Sequence, residues 1–214
     1  AYFVKTPFQP DFELADARET AQRLAVPLTV LEFDILSVPE VAANPADRCY
    51  YCKRALFTLL LEAAEADGFP LVLDGGNASD DASDRPGMRA LRELGVRSPL
   101  RECGVTKAEV RRLARAAGLP VWDKPSYACL ATRVPAGTAI TRRDLDRIAR
   151  GEALLASLGL SDFRLRLRGE DGLLQVREEQ FELARQILAE SPATLAADFR
   201  KIVLDGLPRI SRET

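Results

Sequence analysis

The sequence predicts an α/β protein, a doubly wound parallel sheet followed by a small α+β domain, on two observations. Short apolar strands alternate with amphipathic helices over the first part of the chain, the order that builds parallel sheets. The pattern changes after Gly137, where a helix, a hairpin, a second helix and a last strand follow one another. The domains expected are therefore 1–137 and 138–214, with the boundary between residues 135 and 140.

Taken in order, Tyr2-Phe3-Val4 reads as an interior strand of a parallel sheet, not a first one. A strand–loop–helix module of roughly 30 residues is expected before it. Asp11 to Ala25 is helical, because Phe12, Ala15, Glu19 and Gln22 separate from Leu14, Ala21 and Leu24 at helical spacing. Pro27 stops that helix, and Leu28–Phe33 reads as a buried strand. A second helix runs from Cys52 to Asp67 and ends at Gly68. Leu71–Asp74 is a short apolar strand that stops at Gly75-Gly76, and a polar loop dense in Asp and Ser follows from Asn77 to Gly87. Thr106-Lys107-Ala108-Glu109 is a capping box that opens a helix to Ala117, closed by Gly118 and Pro120. Beyond Gly137, Thr141 caps a helix to Leu158, and Gly169-Glu170-Asp171-Gly172 joins strands Phe163–Arg168 and Leu173–Val176 as a hairpin. A helix over Glu179–Ala189 and a strand over Phe199–Leu204 complete the chain.

A length of 214 residues is enough to bury a core in one large or two modest domains. The formal net charge of −2 argues against a protein devoted to duplex nucleic acid, which carries a basic excess. No apolar run approaches the roughly 18 residues of a membrane-spanning helix. Ala1-Tyr2-Phe3-Val4-Lys5 lacks the basic start and long apolar core of a signal peptide, so a cytoplasmic protein is expected. In that setting four cysteines suggest metal or sulfur chemistry before disulfides. The chain has no histidine, which removes Ser-His-Asp, Cys-His and His-rich zinc sites.

Three of the cysteines fall in two signatures. Cys49-x-x-Cys52 lies in Asn44-Pro45-Ala46-Asp47-Arg48-Cys49-Tyr50-Tyr51-Cys52-Lys53, and Cys129 follows Trp122-Asp123-Lys124-Pro125-Ser126-Tyr127-Ala128. Three thiolates would bind a cubane iron–sulfur cluster and leave one iron open for chemistry. Structural zinc and uncommitted thiols are the alternatives, though a zinc site would want a second close pair. Cys103 reads as an incidental small residue before a helix. Asp74, Asn77, Asp80 and Asp81 follow a strand end, where open α/β sheets bind ligands. Their carboxylates could hold Mg²⁺ against ATP phosphates; a solvated loop is the plain alternative. Lys107 and Arg111, in the first turns of a helix, could each reach a phosphate. In Phe163-Arg164-Leu165-Arg166-Leu167-Arg168, period two puts the apolar residues on the core face and all three arginines on the other. Three like charges on one face favour an anion site, since the guanidinium fork suits phosphate and carboxylate.

Together these segments resemble the LarE family, ATP-dependent sulfur transferases of the PP-loop pyrophosphatase superfamily. Arg85-Pro86-Gly87, Ser98-Pro99-Leu100, Trp122-Asp123-Lys124-Pro125 and the closing Val203-Leu204-Asp205 add to the likeness, which covers nearly the whole chain. The resemblance implies a PP-loop (adenine nucleotide alpha hydrolase-like) sheet and an enzyme of nickel-pincer nucleotide cofactor biosynthesis. ATP would adenylate a carboxylate of a pyridinium dicarboxylate mononucleotide, and sulfur would displace AMP to leave a thiocarboxylate. In single-Cys relatives the residue matching Cys129 sacrifices its sulfur. The added Cys-x-x-Cys implies the cluster type instead, with Cys49, Cys52 and Cys129 holding a 4Fe–4S cluster that carries extra sulfide. By position, Arg166 and Arg168 match family arginines at substrate or phosphate, and Glu152 matches an acidic residue near the site. A homo-oligomer is implied as well.

Three departures stand out. The Ser-Gly-Gly-x-Asp-Ser loop that defines the superfamily is not in the chain and is expected N-terminal to Ala1, so the chain as written is expected to bind ATP poorly. Gln175 stands where the family often has Arg, and Ala136 where it often has Tyr. The rival readings are a cluster-dependent PP-loop tRNA thiolase, disfavoured by the net charge, and a zinc-binding non-catalytic module, which leaves the arginine ladder unexplained.

Overall fold

The computed structural model describes residues 1–80, 86–190 and 197–209. Two compact units divide the chain, Ala1–Lys124 and Pro125–Glu213. Composition alone puts the change near 135–140. Residues 125–137 instead pack with the later unit, because Arg164 holds the carbonyl of Ser126 and Glu152 pairs with Arg133.

In the first unit, β1 (Tyr2–Lys5), α1 (Asp11–Arg23) and β2 (Thr29–Glu32) form a strand–helix–strand crossover. Its strands are parallel, in register from Tyr2 with Thr29 to Lys5 with Glu32. Among the described residues this parallel sheet holds two strands, within a mixed α/β unit. The strand expected at Leu71–Asp74 is reduced to a single parallel bridge between Leu73 and Arg97. Leu71 and Leu73 are exposed, so little apolar burial offsets the entropy of ordering a longer strand there.

Helix α2 (Pro39–Ala42) is short, and α3 (Arg48–Ala66) begins four residues before the Cys52 expected from sequence. Asn44 sits at a φ of 55° and turns the chain, while its side-chain oxygen accepts from Arg48 Nη1 at 2.7 Å. The helix therefore starts directly after the turn and takes both Cys49 and Cys52 into its first two turns. The end of the predicted polar loop is also helical. Pro86, at a position where its missing N–H costs nothing, opens α4 (Pro86–Glu93). Ala90 and Leu91 are buried as α4 packs on α3, and Arg89 stacks 4.2 Å from the Tyr50 ring. Then come α5 (Pro99–Glu102) and α6 (Lys107–Ala116), the latter with the predicted reciprocal capping box between Thr106 and Glu109.

In the second unit, Thr141 caps α7 (Arg142–Ser157) as predicted. Strands β3 (Arg164–Arg168) and β4 (Asp171–Gln175) form the expected antiparallel hairpin, with Gly169 at a φ of 61°, the sign a two-residue turn wants at its first position. A crossover through α8 (Phe181–Glu190) returns β5 (Ile202–Leu204) parallel to β4, so the sheet order is β3-β4-β5. The final strand is shorter than predicted because Phe199 leaves the sheet line and is buried instead. Ile148, Leu155, Leu165, Leu174, Val176 and Ala184 make the centre of this core.

One glycine sets the distance from α7 to its neighbours. A Cβ at Gly151 would lie 2.5 Å from Leu165 Cδ2 and 3.1 Å from Phe199 Cε2. Leu165 is fully buried and has nowhere to retreat. Gly151→Ala is expected to cost about 1–3 kcal/mol by overpacking. The check is a lower urea midpoint with an unchanged slope. Among the described residues no helix is long and apolar enough to cross a membrane.

Candidate functional site

The second unit holds a buried carboxylate at the centre of an arginine cluster. Ile148, Glu152 and Leu155 share the stripe of α7 that faces the core, so helical spacing carries an acidic side chain inside. Burial of a charge demands partners. Glu152 Oε1 accepts from Arg133 Nε at 2.8 Å and from the Leu165 N–H at 3.0 Å. Glu152 Oε2 accepts from Arg133 Nη2 at 3.1 Å and from the Tyr127 hydroxyl at 2.5 Å. Burial first, and then the Glu152 charge, push the Tyr127 hydroxyl far above its ordinary pKa, so it stays protonated and donates. Both oxygens are doubly engaged.

Arg133 reaches from this pair to the loop that bears Cys129. Its Nη1 donates to Ala128 O at 2.8 Å, to Thr132 Oγ1 at 2.8 Å and to Cys129 O at 3.4 Å. The Cys129 carbonyl also accepts from the Thr132 hydroxyl at 2.8 Å and the Thr132 N–H at 3.0 Å. Leu130–Arg133 closes as a 3₁₀ turn with Leu130 and Ala131 buried.

The arginine strand departs from the predicted alternation at one position. Arg166 and Arg168 are exposed as expected, but Arg164 is buried. Its guanidinium donates to Phe163 O and Ser126 O and lies 5.4 Å from the Tyr127 ring centre, contacts that draw it off the solvent face. Burial, then the charges of Arg133 and Arg209, press Arg164 down to about 10. The same causes in the same order lower Arg166. Arg166 donates to Gln175 Oε1 at 2.6 Å and to Thr132 O at 3.1 Å, and Gln175 passes a bond on to Asp205 at 2.7 Å. Gln175 is thus a relay between Arg166 and a carboxylate. The exposed arginine edge, the Cys129 loop and Glu152 are brought together within this unit.

The remaining sequence-predicted residues lie in the first unit. Cys49 and Cys52 stand three apart in the first two turns of α3, the Cys49 thiol exposed. The Arg48 guanidinium, itself buried, approaches Cys49 Sγ at 4.0 Å. A Cβ at Gly87 would come within 3.8 Å of Cys49 Cβ, so α4 starts close beside the first turn of α3. None of the four cysteines is in a disulfide, and Cys103 is exposed. Asp74 Oδ1 accepts from Ser98 Oγ at 2.5 Å and from the Gly76 N–H at 3.0 Å. The Asn77 N–H donates to Asp80 Oδ2 at 2.9 Å, and Arg101 lies 3.9 Å from that oxygen. The Lys107 N–H donates to Ser79 Oγ at 3.0 Å, tying this loop to the start of α6. Asp81 lies outside the described residues. Among the described residues of each unit, no three Cys, Asp or Glu side chains converge as a metal site.

Sequence reasoning missed Tyr127 and Arg133, and put the buried Arg164 on the exposed face. The signal available was Glu152 itself, an acidic residue on an apolar stripe, which implies a buried cation without saying which.

No family model matches the chain. It is 38% identical over 170 residues to an uncharacterized protein of Synechocystis sp., a match covering 79% of this chain and 63% of that protein. An uncharacterized protein of Methanocaldococcus jannaschii is 28% identical over 191 residues, 86% of this chain and 73% of the relative. The third relative carries a functional name: over 168 residues, 78% of this chain but only 61% of the relative, the sequence is 32% identical to the pyridinium-3,5-bisthiocarboxylic acid mononucleotide synthase of Lactiplantibacillus plantarum.

Proposed function

We propose that the chain belongs to a sulfur-transferring enzyme of the LarE type, acting on a pyridinium dicarboxylate mononucleotide. The observation that carries this reading is the 32% identity to a synthase named for a bisthiocarboxylic acid mononucleotide. A cysteine loop and an exposed arginine edge within one unit support it, since the chemistry needs a sulfur beside an anion site.

In this reading the first unit is part of a doubly wound PP-loop sheet. A substrate carboxylate attacks the α-phosphorus of ATP with loss of pyrophosphate, turning a poor leaving group into AMP. Sulfur then adds to the acyl carbon and AMP departs, leaving a thiocarboxylate. Arg166 and Arg168 bind the substrate phosphate, whose charge would offset the burial, and after it the charges of Arg133 and Arg209, that lower Arg166. Asp74, Asn77, Asp80 and Asp81, with Lys107, serve the Mg²⁺–ATP side. In this reading Cys49 and Cys52 are two of the cluster's ligands; they present two thiols from one helix end, beside a buried guanidinium able to donate to sulfur. Cys129 would be the third ligand. When bound, a 4Fe–4S group would supply a renewable sulfur-carrying position. The protein would work in the cytoplasm as a homo-oligomer, without a stable nucleic acid partner.

The test is iron and acid-labile sulfide content of protein purified without oxygen. A thiolate-held cubane gives about four irons per chain. Cys49→Ala is expected to reduce iron to background while leaving the protein folded. Stoichiometric zinc with no iron would overturn the cluster. Loss of the mass of one H₂S at Cys129 after turnover would replace it with a sacrificial cysteine.

A further inference from the structure

Cys129 is the residue on which the proposed chemistry turns, yet its loop is not secured by its own sequence alone. Pro125–Cys129 forms neither helix nor strand, and the turn that follows is a single 3₁₀ segment. Besides the local bonds from Thr132, what fixes it is anchored on α7. The Arg133 side chain has no exposed surface, and one edge of its guanidinium is held by both oxygens of Glu152. A bidentate pair fixes the plane of the guanidinium as well as its position. The remaining nitrogen, Nη1, then points at Ala128 O, Cys129 O and Thr132 Oγ1. On the far side Tyr127 closes the arrangement, its ring 4.7 Å from the Arg133 guanidinium and its hydroxyl on Glu152. The residues on both sides of Cys129 are therefore tied to one buried ion pair.

We propose that Arg133, locked by Glu152 and Tyr127, is a positioning residue that sets the direction in which the Cys129 thiol leaves its loop. Glu152 acts through Arg133 and performs no proton transfer of its own, because its four acceptor directions are all taken. A lysine at 133 would keep the charge but could not span Glu152 and three loop oxygens at once. A displacement of about 1 Å at a reacting atom costs on the order of 10²-fold in rate. The proposal deepens the sulfur-transfer reading, yet its geometry does not depend on that reading.

The experiment is alkylation by iodoacetamide of the full chain freed of iron with a chelator, followed by peptide mass spectrometry. Exposed Cys103, in the other unit, provides the internal rate standard. Cys129 is half-buried, so loosening its loop should speed its reaction. Arg133→Lys is expected to raise the Cys129 rate, relative to Cys103, about tenfold. Thr132→Val removes the hydroxyl links but leaves the ion pair. It is expected to raise the rate about threefold with an unchanged melting temperature, which a purely stabilising role would not do. In the sulfur-transfer assay both variants should lower kcat with little change in KM, the mark of lost alignment. Relative rates within twofold of the parent for Thr132→Val, or for a folded Arg133→Lys protein, overturn the proposal. Alkylation needs neither ATP nor substrate, so an accelerated rate in a protein that transfers no sulfur upholds the positioning role while the functional reading falls.

Discussion

On the sulfur-transfer reading, replacing Cys129 with alanine is expected to abolish thiocarboxylate formation while leaving the protein folded. The substitution removes one sulfur atom and keeps the backbone carbonyl that Thr132 and Arg133 hold. The bonds to residue 129 from Thr132 and Arg133 all end on its backbone carbonyl, which alanine retains. Loss of product therefore reads as loss of sulfur chemistry, not of structure. The expectation is the same whether Cys129 donates its own sulfur or helps to hold a cluster, because either route passes through this thiol. The measurement is mass spectrometry of the nucleotide product after incubation with ATP and Mg²⁺, with circular dichroism as the control for folding. Product at more than about a tenth of the parental yield would leave a barrier change below about 1.4 kcal/mol, too small for an essential reacting atom, and would sink the assignment of Cys129.

The reading order of the elements was largely available from sequence because it rests on local signals. The Thr106–Glu109 capping box, the Thr141 cap and the turn at Gly169 are each decided within a few residues, and each is found where it was expected. The errors concern burial, which is decided at long range. Leu71–Asp74 is as apolar as a core strand, but a strand needs partners on its edges, and among the described residues only Arg97 pairs with it. Arg164 obeys the period of two and is nonetheless buried, because Ser126 and Tyr127, distant in sequence, offer it a carbonyl and a ring face. Arg133 is the plainest case. Nothing near Leu130-Ala131-Thr132-Arg133 says that this arginine is inside, since its carboxylate comes from α7, 19 residues on. The candidate site was thus legible as a set of reactive residue types, while the groups that hold those residues were not.

The second large effect is expected at Glu152, and it tests the structure independently of any activity. Glu152→Ala would strand the Arg133 guanidinium, which has no solvent-exposed surface, beside Arg164 and without its counter-charge. It would also leave the Tyr127 hydroxyl and the Leu165 N–H without their acceptor. Breaking a buried ion pair from one side costs about 3–5 kcal/mol, a large part of the roughly 5–15 kcal/mol that holds a domain together. Removing both charges should be far milder. The double variant Glu152→Leu with Arg133→Met puts apolar groups of similar size into the same space, and such replacements are often neutral or stabilising. The cycle of Glu152→Leu, Arg133→Met and the double variant, followed by urea denaturation, isolates the coupling between the two residues. The expected result is a severe loss for Glu152→Ala and substantial recovery in the double variant. A loss below about 1 kcal/mol for Glu152→Ala would be the behaviour of an exposed pair, and would mean that Arg133 and Glu152 are not buried together in solution. Recovery without sulfur transfer is the most informative combination. It would show that the fold tolerates an apolar pair at this position, and that the ion pair is retained for what it does to the cysteine loop.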